Sequence, residues 1–243
     1  LIFIDGIFNE AWSDLDGLPK GVKLVSMAAA LDICPERVAS AFHRIAAREE
    51  HGFVAFTTAY FRDGVFIHVP AGTVLTKPVQ MLHVSTRDEG LAVLRHLIVL
   101  DHNAEASVVE TYAGAEGTGA LTAAVTEISL GENAGLDHYK LQAETDRSYH
   151  FGGLYAEQAR SARLRQHHSA FGGLLAGTEI HTQLGQVAEC ELDGLFLASG
   201  RRHLDTHTLV RHAAPHGTTR ESYRGIASER GRGVFAGRIV VEK

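Results

Sequence analysis

Residues 97–143 read LIVLDHNAEASVVETYAGAEGTGALTAAVTEISLGENAGLDHYKLQA. Within them Leu100-Asp101-His102-Asn103-Ala104 is echoed by Leu130-Gly131-Glu132-Asn133-Ala134, each flanked by apolar runs of strand character. Asn tolerates the left-handed conformation that a tight corner needs, and Gly meets no steric barrier there. A strand, a corner and another strand, repeated, describe a chain that turns through one shape more than once.

Similar runs fill the chain from about residue 63. They are Val65–Val69, Val79–Val84, Leu97–Leu100, Ser107–Tyr112, Leu121–Leu130, Leu136–Ala143, Leu184–Leu197, Leu204–His212, Ser222–Ala227 and Val234–Val241. Gly, Asn, Asp and Pro punctuate them, and no helical periodicity intervenes. A second echo, Phe151-Gly152-Gly153-Leu154 and Phe171-Gly172-Gly173-Leu174, is spaced by twenty residues, and Gly194 follows Gly173 by twenty-one. The pattern predicts an all-β solenoid of parallel strands with a rung of about twenty residues and glycines at its corners. A β-sandwich is the competing architecture, because antiparallel meanders also give short strands and Gly turns.

Residues 1–62 read as a mixed strand and helix segment ahead of a β-helix core over 63–243. LIFIDGIF alternates like a strand, and Ser26 is placed to cap a short helical turn in MAAAL. Pro35 suits the first turn of a helix over Glu36–Glu50, with Val38, Ala41, Phe42 and Ile45 at helical spacing.

Composition narrows the function classes. Of 243 residues 45% are hydrophobic and 21% charged, as in soluble globular proteins, and no run is long enough to span a membrane. The net charge of −6 gives no reason to expect nucleic acid. Residues 201–243 carry nine Lys/Arg against four Asp/Glu, which reads as a solvated basic face. Cys34 and Cys190 are too few for a disulfide framework and suit a reducing cytoplasm. Cys190 shares a strand face with Ala188 and Leu192, so it reads as a buried structural thiol.

Fifteen histidines invite a metal reading. The densest group is Arg201 to His212, where His203, Asp205 and His207 share one strand face while Leu204, Thr206, Thr208 and Val210 share the other. His203, Asp205 and His207 are therefore the candidate metal ligands, and a β-rich metalloenzyme built on them is the alternative function. Alternate strand residues lie about 7 Å apart, so the outer two share one ion only across a bend. The plainer reading has Asp205 hydrogen-bonding the histidines. His167-His168 diverges on a strand, and His68 and His83 read as core or surface histidines. Gly114–Gly119 precedes a strand rather than a helix, so it offers no phosphate site. A P-loop, a G-x-S-x-G elbow and a cupin metal motif are all missing, and no catalytic set stands out. A carbohydrate-acting β-helix is disfavoured by aromatic residues at only 7%.

Several stretches, in this order, resemble the SufB/SufD family of the SUF iron–sulfur cluster assembly machinery, and its SufD branch in particular. They are GVFIHVPAGTVLTKPVQMLHVS, RHLIVLDHNAEASVVETY, VTEISLGENAGLDHYKLQAE, LDGLFLASGRRHLDTHTLVRHAAPHGTTRESYRGI and RGRGVFAGRIVV. The resemblance implies a right-handed parallel β-helix acting as a scaffold subunit of a SufB–SufC–SufD complex, not as an enzyme. Its implied partners are a SufB-like β-helix and a SufC-like ATPase; a homodimer is also expected. It implies an iron–sulfur cluster at the interface with the SufB-like subunit and a reduced flavin in the complex, with no cofactor held by this chain alone. Its implied place is the bacterial cytoplasm or the plastid stroma. The family's Cys-x-His segment and helical C-terminal domain are expected beyond Lys243. No cluster ligand is therefore carried onto a residue here, and the chain reads as a core fragment.

Overall fold

The computed structural model describes residues 1–46 and 51–242. It opens with β1 (Ile2–Ile4), β2 (Ile7–Phe8), a 3-10 turn (Glu10–Trp12) and β3 (Lys23–Ser26). Three helices follow, α1 (Met27–Ile33), α2 (Pro35–Ala41) and α3 (Gly52–Tyr60). The rest is strand: β4 (Val65–Val69), β5 (Val79–Ser85), β6 (Leu91–Leu100), β7 (Glu105–Gly114), β8 (Leu121–Leu130), β9 (Gly135–Ala143) and β10 (Tyr149–Gln158). It continues through β11 (Arg163–Ala170), β12 (Leu175–Leu184), β13 (Glu189–Ala198), β14 (His203–His212), β15 (Thr218–Ala227) and β16 (Arg232–Val241).

From β4 onward successive strands alternate between two sheets. One runs β15-β13-β11-β9-β7-β5-β1-β2 and the other β16-β14-β12-β10-β8-β6-β4-β3. From β4 onward every neighbouring pair within a sheet is parallel, which excludes the sandwich. The molecule is a parallel β-solenoid in which each turn contributes one strand to each sheet. Antiparallel β2 and β3 end the two sheets on the N-terminal side.

The register corrects the expected rung. Leu91, Leu121, Tyr149, Leu175, His203 and Arg232 lie side by side, giving turns of 30, 28, 26, 28 and 29 residues rather than about twenty. The Asn echo is a true rung: Leu100 pairs with Leu130, and Asn103 and Asn133 have φ of 55° and 58° at one corner. Asn133 Nδ2 donates to Asn103 Oδ1 at 2.7 Å, so the corners stack as a ladder. The Phe-Gly-Gly-Leu echo is not a rung. Phe151–Leu154 lies inside β10, where Phe151 opposes Gly177, whereas Phe171–Leu174 turns the corner into β12.

Gly152 and Gly153 thus serve mid-strand, on opposite faces. A Cβ on Gly152 would overlap the Lys140 ammonium inside the solenoid, and one on Gly153 would lie 2.6 Å from Tyr155 Cε2 outside it. Both are absent side chains that admit a neighbour.

Among the local elements one expectation holds and two are corrected. Ser26 does cap α1, its Oγ accepting from the Ala29 N–H at 3.1 Å. The helix begun by Pro35 ends at Ala41, with Phe42 extended and His43 at φ 56°; the last positions of the expected helix lie outside the described residues. Helix α3 has no forecast in the sequence, and β10, β11 and most of β12 were missing among the expected strands.

The helices cover the outside of the second sheet. Met27, Ala30 and Val38 pack on Phe66 and Leu97, and Ile45, Ala46 and Val54 pack on Val125 and Tyr155. Strands β6 and β8 are consequently buried on both faces and read as continuous runs without alternation. No helix among the described residues is long and apolar enough to cross a membrane.

Candidate functional site

Strand parity decides which side chains enter the solenoid. In β9 the core residue Leu136 fixes the inward face, so His138, Lys140 and Gln142 must point inward with it. Val108 does the same in β7 for Glu110 and Tyr112. Near the corner carrying Asn103 and Asn133 the interior is aliphatic: Ile98, Ile128, Leu100, Leu130, Leu136 and Leu164 stack between the sheets. Towards the other corner it is polar, and nearly all of these polar groups are fully buried.

Glu110 is the hub of that polar half. Its carboxylate accepts from the Tyr112 hydroxyl at 2.7 Å, Thr126 Oγ1 at 3.0 Å and His138 Nε2 at 3.1 Å, with Lys140 Nζ at 3.9 Å. Burial alone would raise its pKa; the His138 hydrogen bond and the Lys140 charge hold it well below the usual carboxylate range. His96 extends the chain: its Nδ1 accepts the Val65 N–H at 3.0 Å, leaving Nε2–H for the Tyr112 oxygen at 3.2 Å. That tautomer is neutral, and burial lowers the His96 pKa to about 4. Beside this chain, Glu144 accepts from His150 Nδ1 at 2.8 Å and from Gln142 Nε2. His83 stacks on Tyr112 at 4.7 Å, and burial drives its pKa well down; His168 falls to about 3 for the same reason. Desolvation also lowers Lys140.

The outer strip on β14 has the parity expected of it. Leu204, Thr206, Thr208 and Val210 are buried, and His203, Asp205 and His207 face outward. The partner of His207 is one rung away: its Nδ1 lies 3.0 Å from Glu179 Oε1, and Nε2 approaches Asp205 Oδ1 at 3.1 Å without hydrogen-bond alignment. Glu179 also receives His181 Nε2 at 3.1 Å and, from the N-cap of α3, His51 Nε2 at 3.7 Å. The structure brings Asp205 and His207 together; the His203 imidazole takes no part in the set. Among the described residues no group of three or more His, Cys, Asp or Glu side chains is disposed to hold a metal ion.

The remaining single residues follow suit. His167 stacks outside on Tyr139 at 4.8 Å while its neighbour His168 turns inward. His68 sits between Arg37 Nη1 at 2.8 Å and Asp101 Oδ2 at 2.9 Å. Cys190 is buried, and burial pushes its thiol up to about 12, far from a reactive thiolate. A further buried pair was invisible in the sequence. Glu127 points out of β8 yet is sealed under the helices, where it binds Arg95 and accepts the N–H groups of His43, Ile45 and Ala46 at 2.7, 3.1 and 3.0 Å. It clasps the N-terminal segment to the solenoid.

Two family models cover nearly the whole chain and meet inside β5. Residues 83–243, the solenoid from the end of β5 onward, match the SUF system FeS cluster assembly SufBD core domain, and residues 1–81 match the SufBD protein N-terminal region. The chain belongs to the SufBD family. Among its relatives is an iron–sulfur cluster assembly SufBD family protein of Synechocystis, 27% identical over 99% of this chain and 55% of that protein. SufD of Escherichia coli is 28% identical over 78% of the chain and 46% of its own length. The chloroplastic protein ABCI7 of Arabidopsis thaliana is 27% identical over 74% and 40%. This SufBD chain spans about half the length of the curated relatives it matches.

Proposed function

We propose that this SufBD chain is the solenoid part of a scaffold subunit for iron–sulfur cluster assembly, working in a SufB–SufC–SufD type complex and not as an enzyme. The observation that carries the reading is that the SufBD core match, over residues 83–243, takes in the solenoid strands from β6 to β16. A stack of paired rungs presents an open outer face on the first sheet and two ordered corner rows, which suits positioning of other subunits better than turnover of a substrate. On this reading a SufB-like solenoid is the lateral partner and a SufC-like ATPase drives the complex. The cluster is cargo formed at the subunit interface, a reduced flavin belongs to the complex, and the site of action is the bacterial cytoplasm or plastid stroma. The polar interior gives the rungs fixed geometry, while the outer Glu179 set fastens α3.

Depletion of the protein in its host tests the role. The activities of iron–sulfur enzymes should fall under iron limitation while their protein levels hold, and re-expression should restore them. Unchanged activities in the depleted strain under iron limitation would overturn the proposal.

A further inference from the structure

The corner row that leads from the first sheet to the second is interrupted at one rung. Between matched register positions, residues 143–148, 197–202 and 226–231 form corners of six residues, whereas 171–174 form one of four. The short corner, Phe171-Gly172-Gly173-Leu174, is drawn in against the rung before it. A Cβ on Gly172 would stand 2.2 Å from Glu144 O, and Gly173, at φ 81°, donates its N–H to that same oxygen at 3.1 Å. The two residues that this corner lacks leave a notch of about 470 Å³. Leu174 lines it, with Asp146 and Arg147 from the preceding rung and Ser199 to Arg202 from the following one.

The wall from Ser199 to Arg202 presents donors. One rung further on, Ser228 and Arg230 donate their N–H groups back down the stack, to Ala198 O at 2.9 Å and Gly200 O at 3.0 Å. Ser199 and Arg201 hold the same register positions, and Gly200 at φ 65° matches Glu229 at φ 58°. Their N–H groups therefore also point down the stack, into the notch, and meet no acceptor among the described residues. Arg202 Nη1 donates to Ser199 Oγ at 2.7 Å, which holds its guanidinium beside them. Arg201 is exposed, and Arg230 and Arg232 add exposed positive charge on the next rung. Arg147 is turned away, its guanidinium bonded to Gly117 O and Asp88. Asp146 and Glu229 are the carboxylates lining the notch, so four arginines face two acids there and the balance favours an anion. Aligned backbone N–H groups flanked by guanidiniums are the donor set that an oxyanion takes. We infer that the notch beside Leu174 is a binding site for a small oxyanion, a phosphate group or a carboxylate.

Amide-resolved NMR on the native protein at fixed ionic strength tests the site, with inorganic phosphate and acetate as separate titrants. The Ser199 and Arg201 amides are expected to shift and saturate, and the titrant that saturates them at lower concentration identifies the group bound. Arg201→Gln/Arg202→Gln should weaken binding by about tenfold or more, as loss of a charge-assisted hydrogen bond requires. Glu229→Gln should tighten it. Arg224→Gln/Arg238→Gln makes the same change in net charge outside the notch and should leave the affinity unaltered. Absent or unsaturating shifts would overturn the inference, as would an equal loss in the two double variants, which is the mark of diffuse attraction to the basic end. If the Arg202 substitution impairs folding, Arg201→Gln alone, on an exposed side chain, carries the same expectation.

Discussion

At the scale of single residues, Glu127 and Val187 show how differently the chain spends stability. The Glu127 carboxylate, wholly buried, is matched by three backbone N–H groups and the Arg95 guanidinium. Glu127→Ala strands Arg95 as a buried unpaired charge and frees the 43–46 segment. Unfolding in denaturant should show a loss of about 3–5 kcal/mol, with α3 becoming protease-sensitive first. Val187 occupies the corner position held by Asn103 and Asn133 three and two rungs earlier, with φ 57° and a largely exposed side chain. A β-branched residue is strained in that conformation. Val187→Asn should raise stability by about 1 kcal/mol in the same measurement, and a loss instead would show that the corner is held by the valine's contacts.

The strand is the unit at which the sequence was most readable, and the reasons for its failures are physical. Asn103 and Asn133 announced a true rung because a corner demands a conformation few residues accept. Gly152 and Gly153 misled because glycine also serves where a neighbour needs room, which depends on Lys140 and Tyr155 and not on local sequence. Strands β10 and β11 hid for the same reason, carrying Gly-Gly and His-His where aliphatic alternation was sought. Parity could have exposed the polar interior, since Leu136 commits His138, Lys140 and Gln142 to one face. The Glu179 set was out of reach, because His207 meets its partner only through the register of β12 and β14. The partial recovery of Asp205 and His207 came from their shared face.

These buried strands carry a pH dependence with a definite sign. His96 and His168 have folded pKa values near 4 and 3 against 6.5 when exposed, so the unfolded chain binds more protons between those limits. Glu110 and Glu144 are also depressed in the folded state, burial being outweighed by His138 and Lys140 for the first and by His150 for the second. Both effects are complete above about pH 6.5 and are lost on acidification. Stability should fall by about 2–3 kcal/mol per pH unit between pH 6 and 4, as two excess protons at 1.36 kcal/mol per unit each require. Thermal unfolding across that range checks it; a flat profile would mean that the histidines are already charged or exposed.

For the whole molecule, the two halves of the core have distinct duties. The aliphatic half supplies burial, as in any solenoid, while the polar half ties strands β5 to β10 together through paired charges and imidazoles. A core of that kind is less stable than an aliphatic one of equal volume but more restrictive in geometry. Geometry is what a scaffold must supply, and it links the fold to the proposed role in cluster assembly. The most direct measurement is anaerobic affinity purification of the protein from its host, with mass-spectrometric identification of what accompanies it. The account predicts a SufB-like solenoid subunit and a SufC-like ATPase in near-stoichiometric amounts. Recovery of the protein alone, or with neither of these two, would contradict it.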